Sequence, residues 1–260
     1  MTSLSARTIR PVELQSWTGL RPQAFLLLAT RLWEAHPDRG GRHRPWTLSR
    51  IDRVLLLTLA LRTNLTYRQL GSLFGVSVAV VHRVLHDLAP AAAGLLEPTT
   101  DRRELWVVDG TLVPVHDHRR SAKSKNYRRS ANIQVVVRAR DRRVVAVGVA
   151  WPGNRNDSVV YRETVGKNPA VQAHPRVSGD GGYRGVDGVR SPRRGKDRRI
   201  IRDRAYKRFA RRRAVAEHTL ARLKDWQILR QHRMPAGAID VTATVVAVLH
   251  NLNVETSYAM

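Results

Sequence analysis

Apolar positions recur at helical spacing in the early part of the chain. Pro22 to Trp33 places Phe25, Leu28, Ala29 and Leu32 on one face, which predicts an amphipathic helix. The stretch HPDRGGRHRPW is a loop by its proline and glycine content. Ile51 to Leu61 is apolar nearly all round and predicts a buried helix, with Thr47 or Ser49 as its cap. Residues 1–62 thus read as helical, and Thr66 opens a third helix. Pro90 and Pro98 bracket an alanine-rich connection, AAAGLLEP, that reads as the linker between domains 1–97 and 98–260.

After Glu97 the period changes. Leu105–Pro114 is a β-branched apolar run. Ile133–Ala139 and Val144–Trp151 are two more, joined by RDRR as a hairpin. Asp157 is placed to cap a helix through about Val165, and Arg176–Asp180 is a short strand ending in glycines. Ser191–Arg199 reads as a loop, Tyr206 to Leu229 as a long helix, and Asp240 to Asn253 as the last one. The order strand, strand, strand, helix, strand, helix predicts a mixed α/β domain.

Residues 66–88, TYRQLGSLFGVSVAVVHRVLHDL, have the form of a helix-turn-helix. Leu70 and Phe74 face inward on the first helix, and Gly75-Val76-Ser77 forms the turn, with Ser77 as cap. Val76, Val80, Val81, Val84, Leu85 and Leu88 form the expected buried stripe. Val78, Ala79, His82, Arg83 and His86 are left on the outer face, where a recognition helix meets base edges. The same spacing also suits a helical hairpin that only packs.

Charge decides in favour of nucleic acid. Lys plus Arg is 46 against 21 Asp plus Glu, a formal net charge of +25. Such an excess is costly in self-repulsion unless a polyanion relieves it. The charge is uneven: 1–97 carries +6 and 98–260 carries +19. Arg119–Arg129 has six basic residues in eleven, and Arg190–Arg213 has thirteen in twenty-four. These are either solvated faces or phosphate contacts. Hydrophobic content of 42% excludes a disordered basic tail, and the absence of cysteine excludes disulfides and thiolate chemistry. No apolar run approaches a membrane span. The reading is of a soluble cytoplasmic protein associated with the nucleoid, with no membrane partner.

Three acids stand where metal chemistry would want them. Asp109 lies inside the apolar strand WVVDGTLV, where a buried carboxylate needs a partner. Asp180 ends a short strand and precedes Gly181-Gly182, which permits close approach of backbone and ligand. Glu217 shares a helix face with Arg213 and Lys224. Each has an ordinary alternative: Glu217 with Arg213 as an i, i+4 pair, Asp180 as a turn residue.

Together these segments resemble the DDE-class transposases of insertion sequences and the DDE superfamily endonucleases with an amino-terminal helix-turn-helix. The resemblance covers residues 45–255 and rests on the helix-turn-helix, WVVDGT, SGDGGYRG and RAVAEHTLARLKDWQIL. Arg213, Glu217 and Lys224 fall at the spacing of a Tyr-x2-Arg-x3-Glu-x6-Lys signature, with Ala210 in place of the tyrosine.

The resemblance implies an α/β, ribonuclease H-like mixed sheet with flanking helices, preceded by an all-α helix-turn-helix domain. It implies two Mg²⁺ (or Mn²⁺) ions held by catalytic Asp109, Asp180 and Glu217, with Arg213 and Lys224 on DNA phosphates. It also implies a homo-oligomer on double-stranded DNA, acting at the element's ends and at the target. Asp157, where relatives also carry Asp, is expected as a support residue or cap rather than a ligand. The rival readings are a DNA-binding regulator or inactive transposase relative without catalysis, a metal-dependent nuclease without strand transfer, and an RNA-binding basic protein, which would explain the charge but not Asp109.

Overall fold

The computed structural model describes residues 4–6, 8–38, 45–97, 103–124, 128–197 and 199–257. The arginine-rich part of the loop after Asp38, Pro98 of the expected linker, and Lys125 and Arg198 of the basic clusters lie outside the described residues. The chain forms two compact units. One comprises residues 1–96, 225–230 and 241–260, the other 97–224 and 231–240.

The first unit is helical: α1 (Pro11–Thr18), α2 (Pro22–Ala35), α3 (Arg50–Thr63), α4 (Tyr67–Phe74) and α5 (Val78–Ala93). Local chemistry sets most of these ends. The Ser49 hydroxyl accepts from the Asp52 amide and opens α3, whose Val54–Leu61 stretch is wholly buried. Thr66 and Gln69 form a reciprocal capping box at α4, and Ser77 caps α5. At Gly71 a Cβ would lie 2.7 Å from the Val76 carbonyl oxygen, so the α4–α5 turn requires glycine there. α5 runs through Pro90 to Ala93 rather than stopping at the proline. Pro90 removes a single helical amide, its ring is exposed, and the alanines after it favour continuation.

The second unit holds a mixed sheet of β1 (Trp106–Pro114), β2 (Ala122–Lys123), β3 (Arg129–Arg138), β4 (Val144–Val147), β5 (Trp151–Pro152), β6 (Val177–Ser178) and β7 (Val189–Arg190). Its order is β2-β3-β1-β6-β7, with β4 and β5 also on β3. β3 is antiparallel to β1, whereas β6 pairs parallel with both β1 and β7. The helices are α6 (Asp157–Glu163), α7 (Pro169–Gln172) and α8 (Arg204–Leu223). One face of the sheet carries a core of Trp106, Val108, Val136, Tyr161, Val177 and Tyr183. By strand alternation the other face carries Val107, Asp109, Val113, Ile133 and Val135. α8 lies against β1 and β3, burying Ala216, Thr219, Leu220 and Leu223.

Four boundaries differ from the pattern's expectation. The last helix, α9 (Ala238–Glu255), places residues 241–255 in the helical unit rather than in 98–260 as a whole. There Asn253 bonds the Arg21 amide at 3.0 Å and the Gly19 carbonyl at 2.7 Å, and Glu255 pairs with Arg31. The long helix ends at Leu223, and residues 225–230 join the helical unit. The Val144–Trp151 run breaks at Gly148, where a Cβ would lie 2.6 Å from Thr164 Oγ1, and the Ala150 amide donates to Asp240 instead of the ladder. Asn156, not Asp157, is the N-cap of α6.

Gly71→Ala should destabilise the helical unit by about 1–3 kcal/mol, because the new methyl group meets backbone that cannot rotate away. Ser72→Ala, at an exposed position of the same helix, should stay within about 0.5 kcal/mol. Urea unfolding followed by circular dichroism distinguishes the two; equal midpoints would remove the close-approach argument.

Candidate catalytic site and DNA-facing helix

The acids are brought together by strand register. Val107 pairs in parallel with Ser178. Two residues past this pair come Asp109, still on β1, and Asp180, beyond the end of β6, so the two acids lie toward the same end of neighbouring strands. Asp109 is half-buried and accepts from the Gly110 amide at 2.9 Å. Asp180 leaves β6 and caps the 3₁₀ turn Gly181–Tyr183, accepting from the Gly182 amide at 2.7 Å. Burial pushes the Asp109 carboxyl up to about 6; the neighbouring charges of Asp180 and Glu217 push the same way, while the Gly110 amide and Arg213 oppose them.

Glu217 is exposed on α8 and paired with Arg213, Nη2 to Oε1 at 2.6 Å. Lys224, which caps the C-terminal end of α8, reaches the Leu112 carbonyl of β1 at 3.3 Å. The donor set is carboxylate oxygen throughout, which suits a hard divalent cation and not a soft one. Asp109, half-buried among like charges, is the group that a cation would relieve most. Among the described residues, no three His, Asp or Glu side chains stand close enough to hold one metal ion together. The acids share an electrostatic neighbourhood, with Glu217 held by its arginine.

Asp157 is part of this neighbourhood, and its setting reveals residues that the sequence pattern did not single out. It is the first residue of α6, and its Oδ1 accepts from Asn132 Nδ2 at 2.8 Å and Gln134 Nε2 at 2.9 Å. Gln134 Nε2 also donates to Asn132 Oδ1, and Gln134 Oε1 accepts from the Tyr183 hydroxyl. Burial, then Asp157, Asp109 and Asp180, raise the Tyr183 pKa, so this hydroxyl stays a donor. At Gly110 a Cβ would lie 2.5 Å from both Asp157 Oδ1 and Gln134 Nε2. At Gly182 a Cβ would lie 2.9 Å from Asp180 Oδ1 and 3.8 Å from Asp157 Oδ2, so both acids border that glycine. The available signal was Asn132 and Gln134 at alternate positions of an otherwise apolar strand.

On the helix-turn-helix, Val81, Val84, Leu85 and Leu88 are buried as expected, while Val76 and Val80 are only half-buried. Val78, Ala79, His82 and His86 are exposed, with the two imidazoles stacked at 5.7 Å. Arg83 departs from the expected outer face. Its guanidinium lies 4.2 Å over the Trp46 ring, and its Nε is buried. The same indole also meets Arg53 at 4.7 Å, itself paired with Asp38. An aromatic face and an adjacent buried helix attract this cation more than solvent does.

The basic clusters are partly neutralised. Arg119 pairs with Asp117 and Arg120 with Asp240; Arg193 pairs with Asp203. Lys123, Arg128 and Arg129 are exposed.

Comparison with known proteins agrees with this arrangement. Residues 108–251 match the family described as DDE superfamily endonuclease, and residues 46–98 match the helix-turn-helix of DDE superfamily endonuclease. A protein of Streptomyces albus G, assigned as a transposase for insertion sequence element IS112, is 38% identical over 248 residues, which cover 93% of this chain and 95% of that protein. The mixed sheet with flanking helices is thus the ribonuclease H-like fold of the DDE domain, a superfamily that uses divalent metal. No single helix among the described residues is long and apolar enough to cross a membrane. The chain belongs to the DDE superfamily endonucleases, and it is a DNA-acting enzyme, a transposase, that carries its DNA-binding helix-turn-helix ahead of the DDE domain.

Proposed function

We propose that this transposase cuts phosphodiesters at the ends of its own insertion sequence and joins the freed 3′-hydroxyl to target DNA, with Asp109, Asp180 and Glu217 as its catalytic acids. The observation that supports this most is Asp109: a half-buried carboxylate on the central strand, pushed up to about 6 by burial and by two further acids. Even with the Arg213 charge nearby the shift stays upward, and perturbed carboxylates of this kind cluster at functional sites.

The three acids would hold two Mg²⁺ or Mn²⁺ ions. Such ions, when bound, stabilise the attacking and leaving oxygens of an in-line displacement. The protein's own part is placement. Asp109 and Asp180 are held by backbone amides, that of Gly110 on β1 and that of Gly182 in the turn after β6. Glu217 is held by Arg213 in a partly exposed pair, which is worth little and is readily exchanged. On DNA, Arg213 turns to a phosphate of the scissile strand and frees Glu217 for metal, while Lys224 holds the same strand nearer the end of β1. Asp157 supports the acids through Asn132 and Gln134. His82 and His86 face the DNA groove. Two ends must be cut and joined in one event, so the working form is a homo-oligomer on double-stranded DNA.

Three results are expected. Asp109→Ala should lower Mg²⁺-dependent cleavage of DNA carrying the element's ends by about 10²-fold or more, and leave metal-free DNA affinity unchanged or slightly raised. A variant that cuts as the parent does would overturn the metal mechanism.

The second concerns pH. The Asp109 carboxyl is raised in the folded state, so folding favours its protonated form; that stability is present below about 4 and lost as pH rises through about 6. Metal needs the ionised form. Cleavage at subsaturating Mg²⁺ should therefore climb about tenfold per pH unit below 6 and level off above it, with the midpoint moving down as Mg²⁺ is raised. A midpoint that ignores Mg²⁺ would assign the titration elsewhere.

The third separates the two kinds of residue on α5. His82→Ala should weaken end binding in a gel shift with no change in melting temperature. Arg83→Ala should lower stability by about 1–2 kcal/mol through loss of its stack on Trp46. A stable Arg83→Ala protein that has lost only DNA affinity would return Arg83 to the DNA surface.

A further inference from the structure

α8 does more than carry Glu217. Ala205, Arg208, Phe209, Arg212 and Arg213 recur at i, i+3, i+4, i+7 and i+8, so they share one stripe of the helix. That stripe forms one wall of a cleft of about 470 Å³, whose other lining includes Arg176 and Ser178 at β6 and Arg190 of β7. The cleft adjoins the acids: Arg213 belongs to both, and Ser178 stands two residues before Asp180.

Its chemistry is one-sided. Six arginines and one aromatic ring line it, with no acid among the described lining residues. Arg193 is paired with Asp203 and Arg213 with Glu217, and Arg176 reaches the Arg103 carbonyl. Arg190, Arg208 and Arg212 are exposed, and none of the ion pairs of the described residues takes them. Unpaired cations at this density repel one another and call for a polyanion. A duplex presents a convex ridge of phosphates with its bases stacked inside. A cleft with an aromatic wall, of a volume within the range of about 300–1,000 Å³ that encloses small ligands, suits a nucleotide whose base is free.

We propose that this cleft holds one unpaired nucleotide of the DNA strand being cut, its base against Phe209 and its phosphates among Arg190, Arg208 and Arg212; the proposal rests on the DNA-cutting reading above. It assigns part of the Arg190–Arg213 charge to single-stranded rather than duplex DNA. It also makes the cleft a sensor of local melting next to the acids. A base that leaves the stack near the scissile phosphate gains a partner there and holds the strand in register with Asp109 and Asp180.

The test is metal-free binding, measured by fluorescence anisotropy of the full chain with a short labelled oligothymidine strand and with a blunt duplex of equal length. Phe209→Ala should weaken oligothymidine binding about tenfold, the size of one base–aromatic stack, and leave duplex affinity within about twofold. Phe209→Trp should keep the affinity and add tryptophan quenching on oligothymidine binding. Replacing Arg190, Arg208 and Arg212 together by Gln should flatten the oligothymidine salt slope by about two.

An oligothymidine affinity unmoved by Phe209→Ala, or an equal loss for both ligands, would overturn the proposal. Asp109→Ala in the same metal-free assay should bind oligothymidine as the parent does. If that variant also cuts DNA like the parent while Phe209→Ala loses oligothymidine alone, the assignment of the acids fails and the cleft stands.

Discussion

β6 runs parallel to β1, and the chemistry of the second unit depends on that pairing. Val107 opposite Ser178 brings Asp109 of β1 and Asp180, just past the end of β6, toward the same end of neighbouring strands. A slip of one residue would turn Val177 out of the core and Ser178 into it, and carry the turn that holds Asp180 with them. The register is held from that core: Trp106, Val108 and Val177 share an apolar face with Tyr161 and Tyr183, and all five are buried. Burial that fixes the strands also raises the cost of ionising Asp109, so one packing arrangement produces both the position and the electrostatic demand of the site.

Farther along the same strands the core face turns polar where an apolar layer would be the default. Gln134 is fully buried and Asn132 nearly so. Their amides are oriented by their partners: the Tyr183 hydroxyl takes Gln134 Oε1, which turns Nε2 toward Asn132 and Asp157. Removing one member would leave a buried donor or acceptor unpaired, so the set acts as a unit. Gly110 belongs to it by omission, since any side chain there would displace Asp157 or Gln134. The Asp-Gly pair at residues 109–110 therefore serves both faces of the sheet, a carboxylate on one and a vacancy on the other.

What could be read from the chain beforehand follows the range of each interaction. Ser49, Thr66 and Ser77 were legible as caps because capping joins residues within one turn of helix. Asp109, Asp180 and Glu217 stand out in the sequence through their immediate surroundings and through the Arg213, Glu217 and Lys224 spacing, and the structure adds that the charges of Asp180 and Glu217 bear on Asp109. Arg83 was not, because its partner Trp46 lies 37 positions earlier and helical phase alone turned it to solvent. Asp157 looked like a cap for the same local reason, whereas its partners sit on β3. The placement of α9 with the helical unit rests on Asn253 meeting Gly19 and Arg21, more than 200 positions away, which no local pattern encodes.

Charge on α8 resolves into two functions that composition merges. The helix is strongly basic through Arg213, and Glu217 is its one acid among Arg204–Leu223. Arg213 therefore has a choice of partners. In the free protein it holds Glu217 at 2.6 Å with both side chains a third or more exposed, a geometry worth about 0–1 kcal/mol. A DNA phosphate would offer the same guanidinium an alternative anionic acceptor, and a divalent cation would offer Glu217 a stronger positive charge. Each exchange favours the other, because releasing one partner unpairs the second. On that reading, the arginine would mask the acid in the absence of DNA. In the mechanism proposed above, the ion pair on α8 would couple strand binding to assembly of the acidic site, and its weakness is what would permit the exchange.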